Sequence, residues 1–257
     1  MMITSSQWTV TEDYKQSSVA RAFSSLDQVF SLQGERIASD SLTEIIRIKI
    51  GDSRYYVKRY KKGSEGGGWL LGRSRIHSEW KNLLYFNTLG LPTAPVVAYG
   101  AERFLHITGR GCLVTEEVKE SEDMAALAHR GFFQRQPASW KKQVIQQVAN
   151  ITRTLHKHRF IHLDLKWRNL LLTNDNNIPE VVIIDCPSGS KQPCFFPKNI
   201  MERMRIKDLA CLDKVAKYTL SKTDRLFFYK LYAGCLILNE QDKLRIKRIL
   251  SFFEGRE

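Results

Sequence analysis

The spacing of apolar and polar positions changes character about midway along the chain. Thr43–Ile50 alternates in its second half, so that Ile46, Ile48 and Ile50 share one face, the period of a half-buried strand. Gly51-Asp52-Ser53 is a turn signal, and Arg54–Tyr60 is rich in strand-forming residues; together they predict a β-hairpin. Gly63-Ser-Glu-Gly-Gly-Gly68 reads as a flexible loop. From about Arg73 to Leu89 the period turns helical. Ile76, Trp80, Leu83 and Asn87 form a stripe that Leu84 widens, and Gly90 and Pro92 stop the helix. Val96–Tyr99, Phe104–Ile107 and Cys112–Thr115 are short strand candidates. The first 60 residues are expected to be mostly strands and turns.

The second half reads as helices. Ser139 stands where it can cap a helix in which Val144, Val148, Ile151 and Leu155 recur. Leu226, Phe227, Lys230 and Leu231 open another, and Ile246, Ile249, Leu250 and Phe253 stripe a third. Strand-rich residues 1–118 followed by helix-rich residues 119–257 predict an α+β protein of two lobes, a small β-rich N-lobe and a larger helical C-lobe.

Composition adds limits. Of 257 residues, 43% are hydrophobic and 26% charged, which supplies a real core and excludes a disordered chain. The longest apolar runs are short, such as Val181–Ile184, far below the roughly 18 residues of a membrane span. No basic segment leads into an apolar one at the N-terminus, so no secretory signal is expected. Five widely spaced cysteines with no CxxC pair suggest neither a zinc site nor a disulfide framework, and a reducing cytoplasm is the expected compartment.

Charge changes the picture more. Lys and Arg number 40 against 27 Asp and Glu, a net charge of +13. It lies in blocks: residues 47–81 carry 10 basic and 3 acidic groups, and residues 191–257 carry 15 and 8. Residues 153–169 hold 5 basic groups, 1 acidic group and three His, whereas residues 1–46 are acidic, 3 against 6. Such blocks suit an anionic partner, whether nucleic acid, phosphorylated lipid or nucleotide; a merely well-solvated basic surface is the alternative.

The densest chemistry lies in Phe160–Leu172, after the helix that ends near His156-Lys157-His158. His162, Asp164, Lys166 and Asn169 give the spacing H-x-D-x-K-x-x-N, and Asp185 ends the apolar run Val181–Ile184. Here the chain resembles the protein-kinase superfamily, over about residues 40 to 235. Val57-Lys58 resembles the strand lysine that holds nucleotide phosphates, and Glu79 its helix partner. Glu79 lies on the apolar face of its helix, where a carboxylate needs a partner.

The resemblance implies a two-lobed protein-kinase-like fold and a role for each residue. Asp164 would accept the proton of an acceptor hydroxyl, and Lys166 would steady the transferred phosphate. Lys58, fixed by Glu79, would clamp the remaining phosphates of ATP. Asn169 and Asp185 would hold Mg²⁺, an ion that takes oxygen ligands. Backbone groups near Glu116 to Val118 would meet the adenine. Each residue also has a plainer reading: Lys58 as a solvated strand lysine, Glu79 at a helix edge, Asp185 in a turn, His162 as structural.

Departures from eukaryotic protein kinases narrow the likeness. No G-x-G-x-x-G precedes Lys58, where Ala38–Ser41 offers only a small polar turn. Asp185 is followed by Cys186-Pro187-Ser188-Gly189, and no Ala-Pro-Glu follows. The chain is more similar to the bacterial kinases of the lipopolysaccharide core that phosphorylate heptose or Kdo sugars. The likeness rests on Ser78–Leu84 with Leu89–Val96, on His162–Leu171, on Ile184–Gly189, and on Arg205–Leu212, whose Asp208 stands where that family has a brace for the catalytic loop.

That resemblance implies ATP-dependent phosphorylation of a heptose or Kdo hydroxyl in an anionic lipopolysaccharide acceptor. The enzyme would be cytoplasmic, with peripheral contact to the cytoplasmic face of the inner membrane, and no nucleic acid is expected as a partner. The basic blocks would meet the acceptor and the anionic leaflet. Trp69, Trp167 and Phe195-Phe196 are candidate interface aromatics, Trp167 being the one more suited to the core. A protein or small-molecule kinase of aminoglycoside type is an alternative, as is a pseudokinase or nucleic-acid-binding module.

Overall fold

The computed structural model describes residues 5–61, 75–104, 107–175 and 178–255. The glycine loop at 63–68, Trp69 and the start of the first long helix at Arg73 lie outside the described residues. Contacts divide the chain into two compact units, Met1–Thr88 with Thr93–Val118, and Leu89–Pro92 with Lys119–Glu257.

The first unit contains β1 (Ser5–Val10), α1 (Glu12–Lys15), α2 (Val19–Ala22), α3 (Leu26–Ser31), β2 (Glu35–Ser39), β3 (Thr43–Ile50), β4 (Ser53–Tyr60), α4 (Arg75–Thr88), β5 (Val96–Phe104) and β6 (Ile107–Glu116). Its sheet runs β1-β5-β6-β4-β3-β2, with every pair antiparallel. The expected hairpin is β3–β4, closed by Ile50 opposite Ser53 with Gly51 at φ 61° in the turn. The three short strands expected after it form two longer ones, β5 and β6.

The sheet's two faces follow the strand period. Val57 and Tyr55 on β4, with Ile46 and Ile48 on β3, join a core with Val19, Phe23, Leu26 and Val29. The next side chains along β4, Lys58 and Tyr60, stand on the opposite face, where both reach Glu79 of α4. Gly111 lets α4 come close, since a Cβ there would meet the Ile76 side chain at 2.5 Å.

The first 60 residues, expected to be mostly strands and turns, include three short helices at residues 12–31. None is long enough to show a period or to be stable alone; packing on the sheet makes them. The buried Arg59 secures the end of α3 by donating to the carbonyls of Val29 (2.8 Å) and Leu32 (2.6 Å).

The second unit contains β7 (Ser121–Asp123), α5 (Met124–His129), α6 (Ala138–Lys157), β8 (Phe160–Ile161), β9 (Leu170–Asp175), β10 (Ile178–Ile183), β11 (Ser190–Lys191), α7 (Lys198–Thr219), α8 (Lys222–Ala233) and α9 (Glu240–Leu250). Its small sheets run β10-β9-β7 and β11-β8. The α6 stripe is buried as expected, but the helix starts at Ala138 after Pro137, so Ser139 lies inside it and caps nothing. In α8 the buried residue is Tyr229, whereas Leu226 is exposed. Capping boxes at Ser221 with Asp224 and at Asn239 with Asp242 start α8 and α9. The mixed architecture, one β-sheet unit and one mainly helical unit, is the predicted fold class.

Candidate active-site residues

In the first unit, Lys58 Nζ donates to Glu79 Oε1 at 2.8 Å. Glu79 is buried, with side-chain exposure of 2%, and Lys58 is mostly so, at 18%. The Tyr60 hydroxyl donates to the other carboxylate oxygen, and the Lys58 ammonium stands 5.6 Å from the Tyr60 ring centroid. A buried carboxylate is costly unless charge and hydrogen bonds compensate it, and here it receives both. Tyr60 was not singled out from the sequence. Its signal is its position, two residues after Lys58 and therefore on the same strand face.

At the end of β6, the Glu116 N–H donates to the Pro95 carbonyl (2.9 Å) and the Glu117 N–H to that of Arg54 (2.8 Å). Both N–H groups are therefore engaged within the unit, and Val118 ends its segment. The Glu116 carboxylate accepts from the Tyr14 hydroxyl at 2.5 Å. Burial first, and then the adjoining carboxylate, push the Tyr14 hydroxyl well above its ordinary pKa. Residues 14 and 116 are 102 apart, and no local pattern connects them.

In the second unit the H-x-D-x-K-x-x-N segment is a tightly fastened loop between β8 and β9. Asp208 of α7, fully buried, accepts the N–H groups of His162 (2.8 Å) and Leu163 (2.7 Å) and lies 3.2 Å from His156 Nε2. Leu163 has φ 65°, a left-handed conformation unfavourable for a branched side chain. Trp167 is buried and donates Nε1–H to the Leu212 carbonyl (2.9 Å), so α7 holds the loop a second time.

The loop presents Asp164. Lys166 Nζ is 2.5 Å from Asp164 Oδ1, and Arg168, not singled out from the sequence, is 3.7 Å from Oδ2. Burial by itself raises the Asp164 carboxyl, but the Lys166 hydrogen bond and charge, with help from Arg168, outweigh it and hold the group below its ordinary value. Asn169 is buried and donates its amide to the Asp164 carbonyl (2.8 Å), which leaves its Oδ1 as an oxygen ligand.

The Ile184 N–H donates to the Asn169 carbonyl (3.2 Å), extending the β9–β10 pairing in which Leu170 faces Ile183. That pairing puts Asp185 one residue beyond the backbone partner of Asn169, and both side chains carry hard oxygen donors. Such a pair fits Mg²⁺, which binds through one or two protein oxygens together with phosphates and water. His162 is fully buried, and that burial pulls its imidazole below the ordinary 6.5 despite the carboxylates of Asp208, Asp185 and Asp164. Burial therefore favours the neutral form of His162.

Known proteins resemble this chain in sequence and in fold. Residues 24–232, more than half of the chain, match the family described as "Lipopolysaccharide kinase (Kdo/WaaP) family". The lipopolysaccharide core heptose(I) kinase WaaP of Pseudomonas aeruginosa is 24% identical over 221 residues, covering 80% of this chain and 79% of that one. A solved structure of WaaP in complex with acyl carrier protein aligns with a TM-score of 0.72 and 21% identity, covering 96% of each chain, a likeness of fold. The chain belongs to the lipopolysaccharide kinase (Kdo/WaaP) family and is a phosphotransferase.

Proposed function

We propose that this enzyme transfers the γ-phosphoryl group of ATP to a heptose or Kdo hydroxyl of the lipopolysaccharide inner core. The supporting observation is the braced loop, in which Asp164, Lys166 and Asn169 are mutually fixed and Asp208 holds the turn before them. Asp164 orients the acceptor hydroxyl and takes its proton as the phosphoryl group transfers; its depressed pKa keeps it ionised for that task. Lys166 meets the charge of the transferring group, and Lys58, held by Glu79, grips the remaining phosphates. Asn169 and Asp185 would hold Mg²⁺, which supplies charge neutralisation on the phosphates. Glu116 to Val118 border the adenine.

The reaction belongs on the cytoplasmic face of the inner membrane. An acceptor carrying lipid, carboxylates and phosphates matches a chain of net charge +13. Among the described residues no helix is long and apolar enough to cross a membrane. Purified enzyme with labelled ATP, Mg²⁺ and dephosphorylated core lipopolysaccharide should label the acceptor. Cores truncated after Kdo, compared with cores retaining heptose, identify the sugar. Absence of label from every core acceptor overturns the substrate assignment.

A second partner is favoured by one feature. The second unit contains a mainly apolar, partly open cavity of about 430 Å³, lined by residues such as Phe133, Val144 and Leu209 and reached by Lys141 and Lys222, while Arg225 is paired with Asp213 at its edge. An acyl chain on an acidic carrier suits that lining, and a related WaaP structure contains acyl carrier protein. Co-purification with acylated but not unacylated carrier is the expected result.

A further inference from the structure

A second cavity in the same unit, about 520 Å³ and open, has the opposite chemistry. Arg159, Lys198, Arg205, Arg245 and Arg248 line it with one carboxylate, Glu202. Glu202 is taken by Arg245 at 2.5 Å. The other four cations have no carboxylate within 4.0 Å among the described residues. Arg159 donates to the carbonyls of Pro193 (2.5 Å) and Cys194 (3.2 Å), and Arg205 donates to that of His156 (2.9 Å). Those acceptors are neutral, so they fix the guanidinium groups and leave their charge uncancelled. The Arg159 carbonyl also accepts the Gln192 N–H at 2.8 Å, which fastens the backbone behind the side chain. Two anchored forks with two exposed cations around one cavity form a ready anion site.

We propose that this pocket seats the phosphate of an anionic phospholipid headgroup and so docks the enzyme on the bilayer. Its apolar surroundings favour a lipid over a soluble phosphate. Phe196 and Leu244 line the cavity, and Leu244 is 59% exposed. The segments that build it also carry Phe195, 89% exposed, and Ile200, 45% exposed. A soluble phosphate would satisfy the cations and leave these side chains in water. At a bilayer the cations meet phosphates while the apolar groups enter the acyl boundary. The inference rests on the membrane placement proposed above and on no catalytic role, because none of these residues takes part in phosphoryl transfer.

The test is sedimentation of the full chain with vesicles of phosphatidylglycerol in phosphatidylcholine and with phosphatidylcholine alone. The enzyme should prefer the anionic vesicles, and salt should weaken that binding. Lys198→Glu with Arg248→Glu should lower binding about tenfold or more, since each well-placed cation counts at an anionic surface. Lys49→Glu with Lys142→Glu, exposed residues outside the pocket, makes the same change in net charge and should have a much smaller effect. Leu244→Ser with Phe195→Ser should weaken binding without changing charge. Phosphoryl transfer to a soluble, delipidated core oligosaccharide should be unchanged in all three pairs, which also certifies their folding. Loss of that transfer in the wild type would instead count against the kinase reading. The docking proposal is overturned by any of three results: no preference for anionic vesicles, equal loss in the control pair, or stabilisation by glycerol phosphate with no vesicle binding.

Discussion

Asp208 accepts the backbone N–H groups of both His162 and Leu163, at 2.8 and 2.7 Å, and thereby holds Leu163 in a left-handed turn. A residue 44 positions beyond Asp164 thus sets the direction in which Asp164 leaves the backbone. Asp208→Ala leaves two buried donors without their acceptor, and should cost about 2–4 kcal/mol in stability. Transfer activity should fall further than the loss of folded protein explains, because the loop no longer has one conformation. Urea unfolding, with activity assayed well below the unfolding transition, checks both; unchanged activity per folded molecule would refute the brace.

The Lys58–Glu79 pair separates stability from catalysis. Lys58→Met leaves the buried Glu79 carboxylate without the Lys58 ammonium, a loss of about 3 kcal/mol by analogy with other broken buried pairs. Combining it with Glu79→Leu removes the stranded charge and should restore most of that loss. Transfer should remain at background in the double variant, since the phosphate-gripping ammonium is gone. Recovery of activity together with stability would show the pair to be structural only.

Asp164→Asn should reduce kcat by about 10² to 10⁴, the usual range for a positioned acid–base group, with little change in unfolding midpoint. The pH profile carries a second check. Because the Asp164 pKa is depressed, the carboxylate form persists down to and below the ordinary carboxylate range, so kcat/KM should show no acid limb from this group in mildly acid solution. Lys166→Met removes the largest lowering influence while burial remains, and the acid limb should move upward.

His162 makes stability depend on pH in a known direction. Its folded pKa lies below 6.5, so between those two values the unfolded chain binds the extra proton. The neutral imidazole therefore contributes fully above about pH 6.5, and stability declines as pH falls below it. Urea midpoints at pH 7.5 and 5.5 should differ more for the wild type than for His162→Phe. Equal differences would place the acid sensitivity elsewhere.

Much of the site was readable because its parts are local. His162, Asp164, Lys166 and Asn169 fall within eight residues, and the loop that joins them uses bonds of short sequence span, such as Asn169 to the Asp164 carbonyl. Lys58 and Glu79 were readable as a pair through the likeness to the protein-kinase superfamily, and burial logic agrees with it, since an acid on an apolar helix face requires a partner. The helices at residues 12–31 were not readable, because each is about one turn and takes its stability from the sheet beneath it. Nor was the buried face of α8, where Tyr229 rather than Leu226 turns inward.

The sequence by itself determined the α+β organisation, the hairpin bearing Lys58, and the H-x-D-x-K-x-x-N motif. These depend on periods of two or about 3.6 residues and on short motifs, all of which are local in the chain. Only the tertiary structure decided that the Leu212 carbonyl fastens the H-x-D-x-K-x-x-N loop through Trp167 and that Tyr14 reaches Glu116, and it gave the brace implied for Asp208 its two N–H partners. It alone placed Arg159 with Arg205 and Arg248 around one cavity while Glu202 neutralises Arg245. Those relationships join residues 40 to more than 100 positions apart. Which distant donor meets which acceptor is fixed by how helices and strands pack, and no local pattern encodes it.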